Sequence, residues 1–248
     1  MQKDDTSLLN AGDILTAIAL LTRLPVKAEF DRSAQAVWAY PLAGLFVAAL
    51  AGVVVTVALW LGLAAPFAAG LWIAATVIMT GAMHEDGLAD CADGFWGGWE
   101  PARRLEIMKD SQIGTYGVLA LVLSVGLRWL AVWMLIENGT WFWALLTIEG
   151  LSRAAMPMLM TQLPHARDTG LSHAQGRPAL NSALLAIGLA AAIAFLMIGW
   201  VVFKLIILGG VAAVLMGWLA HRKIGGQTGD VLGATQQVTC LAMLVALA

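Results

Sequence analysis

Long apolar runs with few charged residues recur along this chain of 248 residues. Hydrophobic residues make up 60% of the chain and charged residues 12%, and the mean hydropathy is +0.81. A soluble domain is nearer half apolar and a quarter charged, so this composition indicates a membrane protein. Seven runs approach the length of about 20 residues that crosses a bilayer core. They are 37–63, 66–83, 118–136, 140–160, 180–203, 205–220 and 231–248.

The sequence therefore predicts an all-α fold, a polytopic membrane helix bundle with about seven transmembrane helices. The segment 14–24 is shorter and carries Arg23, so we interpret it as an N-terminal interfacial or re-entrant helix. We find no internal repeat or long linker and expect a single integral-membrane domain over 1–248. The net charge of −2, without a basic run, gives no indication of nucleic-acid binding.

The distribution of basic residues predicts the orientation of these spans. Four loops, 1–36, 84–117, 161–179 and 221–230, carry eleven of the 14 Lys and Arg residues, whereas the opposite connections carry only Lys204. By the positive-inside rule, the four loops lie on the cytoplasmic side. Loops that are far apart in sequence then meet at one membrane face, where a soluble phosphorylated substrate can reach them.

The stretch 84–94, His-Glu-Asp-Gly-Leu-Ala-Asp-Cys-Ala-Asp-Gly, places four carboxylates within eleven residues. In a helix, Asp86, Asp90 and Asp93 fall at i, i+4 and i+7 and share one face. Carboxylate oxygens suit Mg²⁺, which takes one or two carboxylates and completes its shell with water and substrate phosphate. The alternative is a solvated acidic loop between membrane segments, and the spacing alone leaves both open.

Other polar residues of the second loop add candidates for catalysis and binding. His84 either acts as a base or substrate hydrogen-bonding group, or is an interfacial residue without a role in chemistry. Asp110 is a further candidate metal ligand. The basic residues Arg103, Arg104 and Lys109 either neutralise phosphate oxygens or only follow the positive-inside rule.

The last loop, 225–233, is glycine-rich and opens a helix. Its amides and the positive end of the helix make a candidate anion site, with Asp230 either capping the helix or binding metal.

Three ionisable residues lie within the predicted spans. Glu149 and Arg153 are four residues apart and can pair on one helix face. Arg128 lies near the centre of the preceding span. We predict that Arg128 or Arg153 pairs with Glu149, since an unpaired charge at that depth is costly; such groups serve either function or structure.

Taken together, these motifs resemble those of cobalamin synthases, the adenosylcobinamide-GDP ribazoletransferase family of prokaryotic membrane enzymes. The resemblance covers most of the chain, and the acidic and closing motifs are specific in combination. The matching segments are Leu-Thr-Arg-Leu-Pro-Val at 21–26, Tyr-Pro-Leu-Ala-Gly at 40–44, the acidic stretch 84–94, Lys-Asp-Ser-Gln-Ile-Gly-Thr-Tyr-Gly at 109–117, Ser-Arg at 152–153 and Gly-Gly-Gln-Thr-Gly-Asp-Val-Leu-Gly-Ala at 225–234. One departure is that family members commonly carry a glutamate after the closing motif, where this chain has Gln236, Gln237 and Cys240.

What the resemblance implies is the last assembly step of the vitamin B12 nucleotide loop. The family joins adenosylcobinamide-GDP to α-ribazole, or to its 5′-phosphate, and releases GMP. The resemblance thus implies these substrates, Mg²⁺ as cofactor, and a multi-pass protein of the bacterial inner membrane whose site faces the cytoplasm. Its expected partners are the lipid bilayer and other enzymes of nucleotide-loop assembly.

The residue patterns and the resemblance together predict three sets of site residues. The catalytic set is Glu85, Asp86, Asp90, Asp93 and His84. The metal-binding set is Asp86, Asp90, Asp93, Asp110 and Asp230. The substrate-binding set is Arg23, Arg103, Arg104, Lys109, Arg153, Gly226 and Thr228.

Two other functions are alternatives to this one. A CDP-alcohol phosphotransferase also clusters acids on membrane helices, but here Asp93-Gly94 lacks the Ala-Arg that should follow and no G-x3-D-x3-D comes after it. A membrane transporter would explain the apolar spans and Arg128, but it does not need acids gathered in a loop.

Overall fold

The structure is a computed structural model that describes residues 8–248. Lys3, one of the basic residues that predict orientation, lies outside the described residues. The described chain forms eleven α-helices and a 3₁₀ turn, and its only extended pairing is an isolated bridge between His165 and Gln227. The predicted all-α fold is confirmed.

The helices follow one another through mostly short connections. In chain order they are α1 (Gly12–Leu21), α2 (Tyr40–Trp60, preceded by the 3₁₀ turn Ala36–Ala39), α3 (Ala65–Thr80), α4 (Met83–Gly97), α5 (Pro101–Ile107), α6 (Thr115–Glu137), α7 (Trp141–Gln162), α8 (Leu171–Gln175), α9 (Leu180–Ile198), α10 (Val201–Ile224) and α11 (Gly229–Leu247).

Five described helices are long and apolar enough to cross a membrane, namely α2, α6, α9, α10 and α11. The bent pair of α3 and α4 makes a sixth candidate. Helix α7, 22 residues long, packs against α2, α9 and α11 but is less apolar because it carries Glu149 and Arg153. The prediction of about seven spans is therefore approximately right. With ten residues, α1 is too short to cross, as expected of the N-terminal helix.

The break between α9 and α10 lies earlier than the sequence predicts. The runs 180–203 and 205–220 are separated by a turn at Gly199 and Trp200, so Lys204 lies inside α10 and not in the connection. Gly199 adopts a φ of 62°, which glycine reaches at little cost. Both sides of this turn are apolar, and hydropathy alone does not locate it.

A sharp bend between α3 and α4 determines where the acidic stretch lies. Gly81 and Ala82 adopt left-handed φ angles of 64° and 57°, which end the helix before the predicted run does. The Arg23 amide donates to the Met79 carbonyl over 2.7 Å beside this bend. The two helices differ in direction by 88°. Residues 84–94 lie within α4 and are helical, which is the condition for Asp86, Asp90 and Asp93 to share one face.

Small residues bring α2 and α7 into close contact. A Cβ at Gly44 would lie 2.2 Å from the Glu149 carbonyl oxygen, and one at Gly52 would lie 3.0 Å from the Phe142 ring. Membrane helices use small residues in this way because lipid provides no hydrophobic drive for their association. This contact places the charged segment of α7 inside the bundle.

The polar loops meet at one end of the bundle. Arg104 Nη1 donates to the Lys223 carbonyl over 2.7 Å, which joins the second loop to the last. Lys109 Nζ lies 3.5 Å from Thr169 Oγ1, which brings the second loop to the third. The predicted convergence of distant loops is therefore present in the fold.

Candidate active site

Two glycines let α4 lie directly against the start of α11. A Cβ at Gly87 would lie 2.6 Å from the Asp230 carbonyl oxygen, and one at Gly233 would lie 3.2 Å from His84 Cα. The acidic stretch and the closing glycine-rich segment, more than 130 residues apart in sequence, thus form a single site.

The residues just before α11 shape its N-terminus. The Thr228 hydroxyl accepts a hydrogen bond from the Val231 amide at 3.3 Å and so caps the helix. At Gly226, a Cβ would lie 2.2 Å from the Pro164 carbonyl oxygen. Gly226 and Thr228, which the sequence predicts to bind substrate, thus shape this loop. Gly229 lines a cavity next to it.

The loop after α7 holds this segment in place. The Gln227 amide donates to the Pro164 carbonyl at 2.8 Å, and the Ala166 amide donates to the Gln227 carbonyl at 2.9 Å. The Gln227 side-chain amide lies 3.0 Å from His165 Nδ1. Burial, and next the charge of neighbouring His173, lowers the pKa of His165 from its ordinary value of 6.5. A neutral His165 ring accepts the hydrogen bond from Gln227.

The exposed face of α4 carries excess negative charge. Asp86 is exposed and Asp90 half-buried. The charges that act on Asp90 are those of Asp230, Asp86 and Asp93, which repel it, and that of Arg167, which attracts it. Arg167 Nη2 also donates to Asp230 Oδ2 at 3.0 Å. A single arginine thus faces several carboxylates, and the surplus favours a bound cation.

These carboxylates do not form a closed metal cage. Within residues 8–248, no group of three or more His, Cys, Asp and Glu side chains converges closely enough to hold a metal ion. Oxygen atoms from a substrate or from water would be needed to complete a coordination shell here.

Asp93, the third acid of the predicted face, is a helix cap. Its carboxylate accepts hydrogen bonds from the Gly114 amide at 2.7 Å and the Gly117 amide at 2.9 Å, at the start of α6. A carboxylate in this position satisfies unpaired amides and interacts favourably with the helix dipole. Each of its two oxygens accepts one amide hydrogen, so Asp93 has a structural role at the start of α6, and its predicted role as a metal ligand stays a prediction.

A cavity of about 150 Å³ lies between α1, α4, α8 and α11. The acidic face of α4 and the start of α11 form part of its wall. Its charged and polar lining residues are Tyr40, His84, Asp86, Arg167, Ser172, Gln175 and Asp230. The cavity therefore combines a histidine, two carboxylates and an arginine, which are groups that move protons and bind phosphate.

Glu85 faces away from this cavity into the bundle. Arg128 Nη1 donates to Glu85 Oε1 at 2.8 Å and to Gln237 Oε1 at 2.5 Å. Gln237 Nε2 in turn donates to Glu85 Oε1 at 3.1 Å. All three side chains are buried. Glu85 therefore has a structural role in the bundle, and its predicted catalytic role stays a prediction. An ionised glutamate at position 237 would have no hydrogen to donate to it.

A second buried ion pair lies on α7. Arg153 Nη1 donates to the Glu149 carboxylate, which confirms one of the two predicted pairings; Arg128 instead pairs with Glu85. Arg153 is 1% exposed and is not among the residues that line the cavity. Its guanidinium contacts Glu149, and its predicted contact with substrate stays a prediction.

The basic residues of α5 lie apart from the cavity lining. Arg103 pairs with Glu106 at 2.9 Å on an exposed surface. Arg104 Nε donates to the Gly98 carbonyl at 2.9 Å, and its Nη1 holds the last turn of α10 through Lys223. Arg104 therefore positions α5 against α10, and its predicted binding of substrate stays a prediction.

The remaining predicted residues lie near the site without lining the cavity. Lys109 and Asp110 are exposed, and Asp110 Oδ1 accepts a hydrogen bond from the Gln112 amide at 3.1 Å. Arg23 is exposed, and its side chain covers Gly81, where a Cβ would lie 2.6 Å from Arg23 Cγ.

Sequence reasoning missed four residues that line the cavity: Tyr40, Arg167, Ser172 and Gln175. Three of them lie in the loop 161–179, where no recognisable motif marks them. One feature of the sequence pointed to Arg167 as a site residue. It is a basic residue in a loop predicted to share the membrane face with Asp230.

Comparisons with known proteins show the family to which this chain belongs. The family model CobS, cobalamin-5-phosphate synthase, matches residues 13–248. An adenosylcobinamide-GDP ribazoletransferase of Bradyrhizobium diazoefficiens is 42% identical over 240 residues, which cover 94% of this chain and 92% of the relative. Relatives with the same name from Mesorhizobium japonicum and Brucella canis are each 41% identical, covering 94% and 95% of this chain and 91% and 96% of their own lengths. No solved structure matches the chain significantly.

Proposed function

The chain belongs to the cobalamin-5-phosphate synthase family, and we propose that it works as an adenosylcobinamide-GDP ribazoletransferase through the cavity between α4 and α11. It is a transferase of cobalamin biosynthesis, and the family match favours this over the CDP-alcohol phosphotransferase and transporter alternatives. The main support for placing the reaction in this cavity is the close packing of α4 on α11 through Gly87 and Gly233. This packing brings the acidic stretch to the closing motif.

The reaction transfers a phosphoryl group from the diphosphate of adenosylcobinamide-GDP to a hydroxyl and forms a phosphodiester. A ribose hydroxyl oxygen of α-ribazole, or of its 5′-phosphate, forms a bond to the phosphorus that carries adenosylcobinamide. The bond from that phosphorus to the bridging oxygen breaks, and GMP leaves with the electron pair. The hydroxyl proton must be removed, and negative charge develops on the departing GMP.

The residues of the cavity divide this work. Arg167 lines the cavity and brings positive charge to the phosphate oxygens, although it also holds Asp230. The half-buried carboxylate of Asp90, one turn along α4 from Asp86, takes the hydroxyl proton and leaves Asp86 for the metal. His84, which lines the same cavity, orients the incoming nucleoside.

Mg²⁺ is part of this proposal, and the donor set suits it. Asp86 and Asp230 both line the cavity, and Asp90 adds charge that Arg167 alone does not balance. Mg²⁺ usually takes one or two carboxylates and completes its shell with water and phosphate, which fits a site without a closed cage. We therefore assign Asp86 and Asp230 as its ligands, with Asp90 in support. When bound, the ion would neutralise charge on the diphosphate.

The location of the site completes the proposal. Several apolar helices make this a multi-pass membrane protein, and we place it in the bacterial inner membrane with the cavity open to the cytoplasm. The positive-inside distribution of loop charges supports that orientation. Other enzymes of nucleotide-loop assembly would then meet it at this same face.

The test is GMP release by the purified protein in detergent. With adenosylcobinamide-GDP and α-ribazole together, GMP should appear in amounts equal to the cobalamin formed. Neither substrate alone should release GMP. Binding of the corrinoid without turnover would contradict the proposal and favour transport.

A further inference from the structure

One wall of the cavity is a short helix that also faces outward. Leu171, Ser172 and Gln175 of α8 line the cavity. His173 and Ala174 lie on the other side of this helix and are exposed. Of the five residues of α8, only Ser172 is buried. A segment with so little buried surface opens at a small free-energy cost compared with the helices of the bundle.

The glycines at the two ends of α8 adopt backbone conformations that other residues avoid. Gly170 has a φ of 101° and a ψ of 172°, and Gly176 has a φ of 82° and a ψ of 180°. This region is populated essentially by glycine alone. There is room for a side chain, because a Cβ would lie 3.5 Å from the Arg167 side chain at Gly170 and 3.8 Å from Ala34 Cβ at Gly176. The backbone angles therefore restrict both positions to glycine, as is common at hinges.

The loop on either side of these two glycines is held by the bundle. The Ala166 amide donates to the Gln227 carbonyl at 2.9 Å. Arg177 Nη2 donates to the Thr161 carbonyl at 2.5 Å. The second bond joins the two ends of the loop 161–179, so the part between the glycines can turn while its base stays in place.

Side-chain hydrogen bonds hold α8 against the cavity. The Gln175 side-chain amide donates to the Tyr40 hydroxyl. Ser172 Oγ donates to Gln227 Oε1 at 2.6 Å. Each bond of this kind contributes only modestly to stability, so these contacts fix α8 in position and can still break reversibly.

We propose that α8 is a lid on the hinges Gly170 and Gly176, and that the closed lid makes a ribazole hydroxyl, rather than water, the acceptor of the phosphoryl group. This inference rests on the proposed function. Arg167 Nη1 is buried without a hydrogen-bond partner within residues 8–248, and Arg167 lines the same cavity as α8. Phosphate oxygens bound to it lie behind the lid, where closure expels water and prevents hydrolysis.

Hydrolysis is the reaction that the lid must prevent. A water oxygen would form a bond to the phosphorus that carries adenosylcobinamide, and the bond from that phosphorus to the bridging oxygen would break. GMP would leave with the electron pair, Asp90 would take a proton from the water, and adenosylcobinamide phosphate would remain. The ratio of GMP to cobalamin therefore measures how well the lid excludes water.

The first measurement is amide hydrogen exchange at residues 171–176 of the purified full-length protein in detergent. Gly170→Ala and Gly176→Ala place a Cβ on a left-handed backbone and destabilise the closed lid, so exchange should quicken about 5- to 30-fold. Tyr40→Phe keeps the ring and removes the acceptor of the Gln175 hydrogen bond. It should quicken exchange roughly two- to tenfold.

The second measurement compares GMP with cobalamin in the same preparations. The wild type should release GMP only when α-ribazole is present, in an amount equal to the cobalamin formed. Both hinge variants should release GMP from adenosylcobinamide-GDP alone, and with both substrates GMP should exceed cobalamin. A role of these glycines in folding alone would lower total turnover without changing this ratio.

The matched control is Gly199→Ala, at the other end of α9. Gly199 has a φ of 62° and a ψ of −142°, and a Cβ there would have no neighbour within 4 Å. This variant carries a similar backbone strain away from the lid. Exchange at residues 171–176 and the ratio of GMP to cobalamin should therefore keep their wild-type values.

Wild-type exchange rates in both hinge variants would overturn the inference, as would equal amounts of GMP and cobalamin in variants whose lid exchanges faster. A wild-type protein that never releases GMP, together with faster exchange in the hinge variants, would give a different result. It would contradict the proposed function and the choice of acceptor that rests on it, while the hinged motion of α8 would stand.

Discussion

Arg128 Nη1 donates to Glu85 Oε1 over 2.8 Å inside the helix bundle, with both side chains buried. Glu85 and Asp86 are consecutive on α4 and so point about 100° apart around the helix axis. Because Glu85 is held toward α6, Asp86 is directed toward the cavity. A buried ion pair therefore sets the rotation of the helix that carries the acidic face.

The first prediction concerns the stability that this pair provides. Arg128→Met leaves a buried carboxylate unpaired and should lower the free energy of unfolding by about 3 to 5 kcal/mol. The double variant Glu85→Gln/Arg128→Met should recover a substantial part of the loss. Denaturant titration in detergent measures both. Arg222→Met, at an exposed residue whose guanidinium lies over the Trp218 ring, is the control and should cost far less. Strictly additive losses would show that Glu85 and Arg128 do not depend on each other.

The sequence predicted those parts of the structure that depend on local spacing. The apolar runs indicate the bundle because any segment that crosses lipid must satisfy its backbone internally and present apolar side chains. The Glu149–Arg153 pair was predictable because residues four apart share a helix face. The helical acidic stretch follows the same rule.

Contacts between segments that are far apart in the sequence could not be predicted from local spacing. Glu85 and Arg128 lie 43 residues apart, and Gln237 follows 109 residues after Arg128. No periodicity links such positions. The role of Asp93 was missed for the same reason, since its partners Gly114 and Gly117 belong to another helix and the carboxylate looks like one more acid of the cluster.

The second prediction concerns Asp93. Asp93→Ala removes two hydrogen bonds at the start of α6 and should destabilise the protein by about 1 to 2 kcal/mol. Amide exchange should quicken at residues 114–117, measured by mass spectrometry of the detergent-solubilised protein. Asp93→Asn keeps one acceptor oxygen, so its stability should lie between that of the wild type and that of Asp93→Ala. Full stability of Asp93→Ala combined with a changed metal requirement would instead support its predicted role as a metal ligand.

The third prediction concerns pH. The pKa of His165 is lowered in the fold from 6.5, so the unfolded chain binds the proton more readily. The stability that neutral His165 contributes is therefore present above pH 6.5 and is lost as pH falls below it. Exchange at the Ala166 and Gln227 amides, corrected for its intrinsic pH dependence, should quicken between pH of about 7 and about 5.5. His165→Asn should abolish that change. The same pH dependence in the variant would assign it to another group, such as His173.

The fourth prediction concerns orientation. The buried thiols Cys91 and Cys240 are first replaced with alanine. Single cysteines at the exposed positions Glu100 and Arg222 should then react with an impermeant maleimide only from the cytoplasmic side. A cysteine at exposed Asn138, at the opposite end of α6, should react only from outside. Labelling of positions 100 and 222 from different sides would contradict a single polar face.

The last prediction separates the metal site from the structural acids. Asp86→Asn keeps the shape of the side chain and removes its charge, so the protein should stay folded and inserted while GMP release falls roughly a hundredfold or more. Asp230→Asn should have a similar effect, with the added release of Arg167 from its partner. Both variants should require more Mg²⁺ for half-maximal turnover, and chelation of divalent cations should stop the wild-type reaction.

The matched control is Asp110→Asn, because this exposed carboxylate bonds only its own loop and is outside the cavity. Its turnover and Mg²⁺ requirement should stay close to wild type. The comparison matters because Asp110 and Asp86 are both acids at the same polar end of the bundle, so a loss caused by general surface charge would affect them alike. Near-wild-type turnover and unchanged Mg²⁺ dependence in Asp86→Asn and Asp230→Asn would mean that the acidic face is a solvated surface, and the reaction would have to be placed elsewhere on the protein.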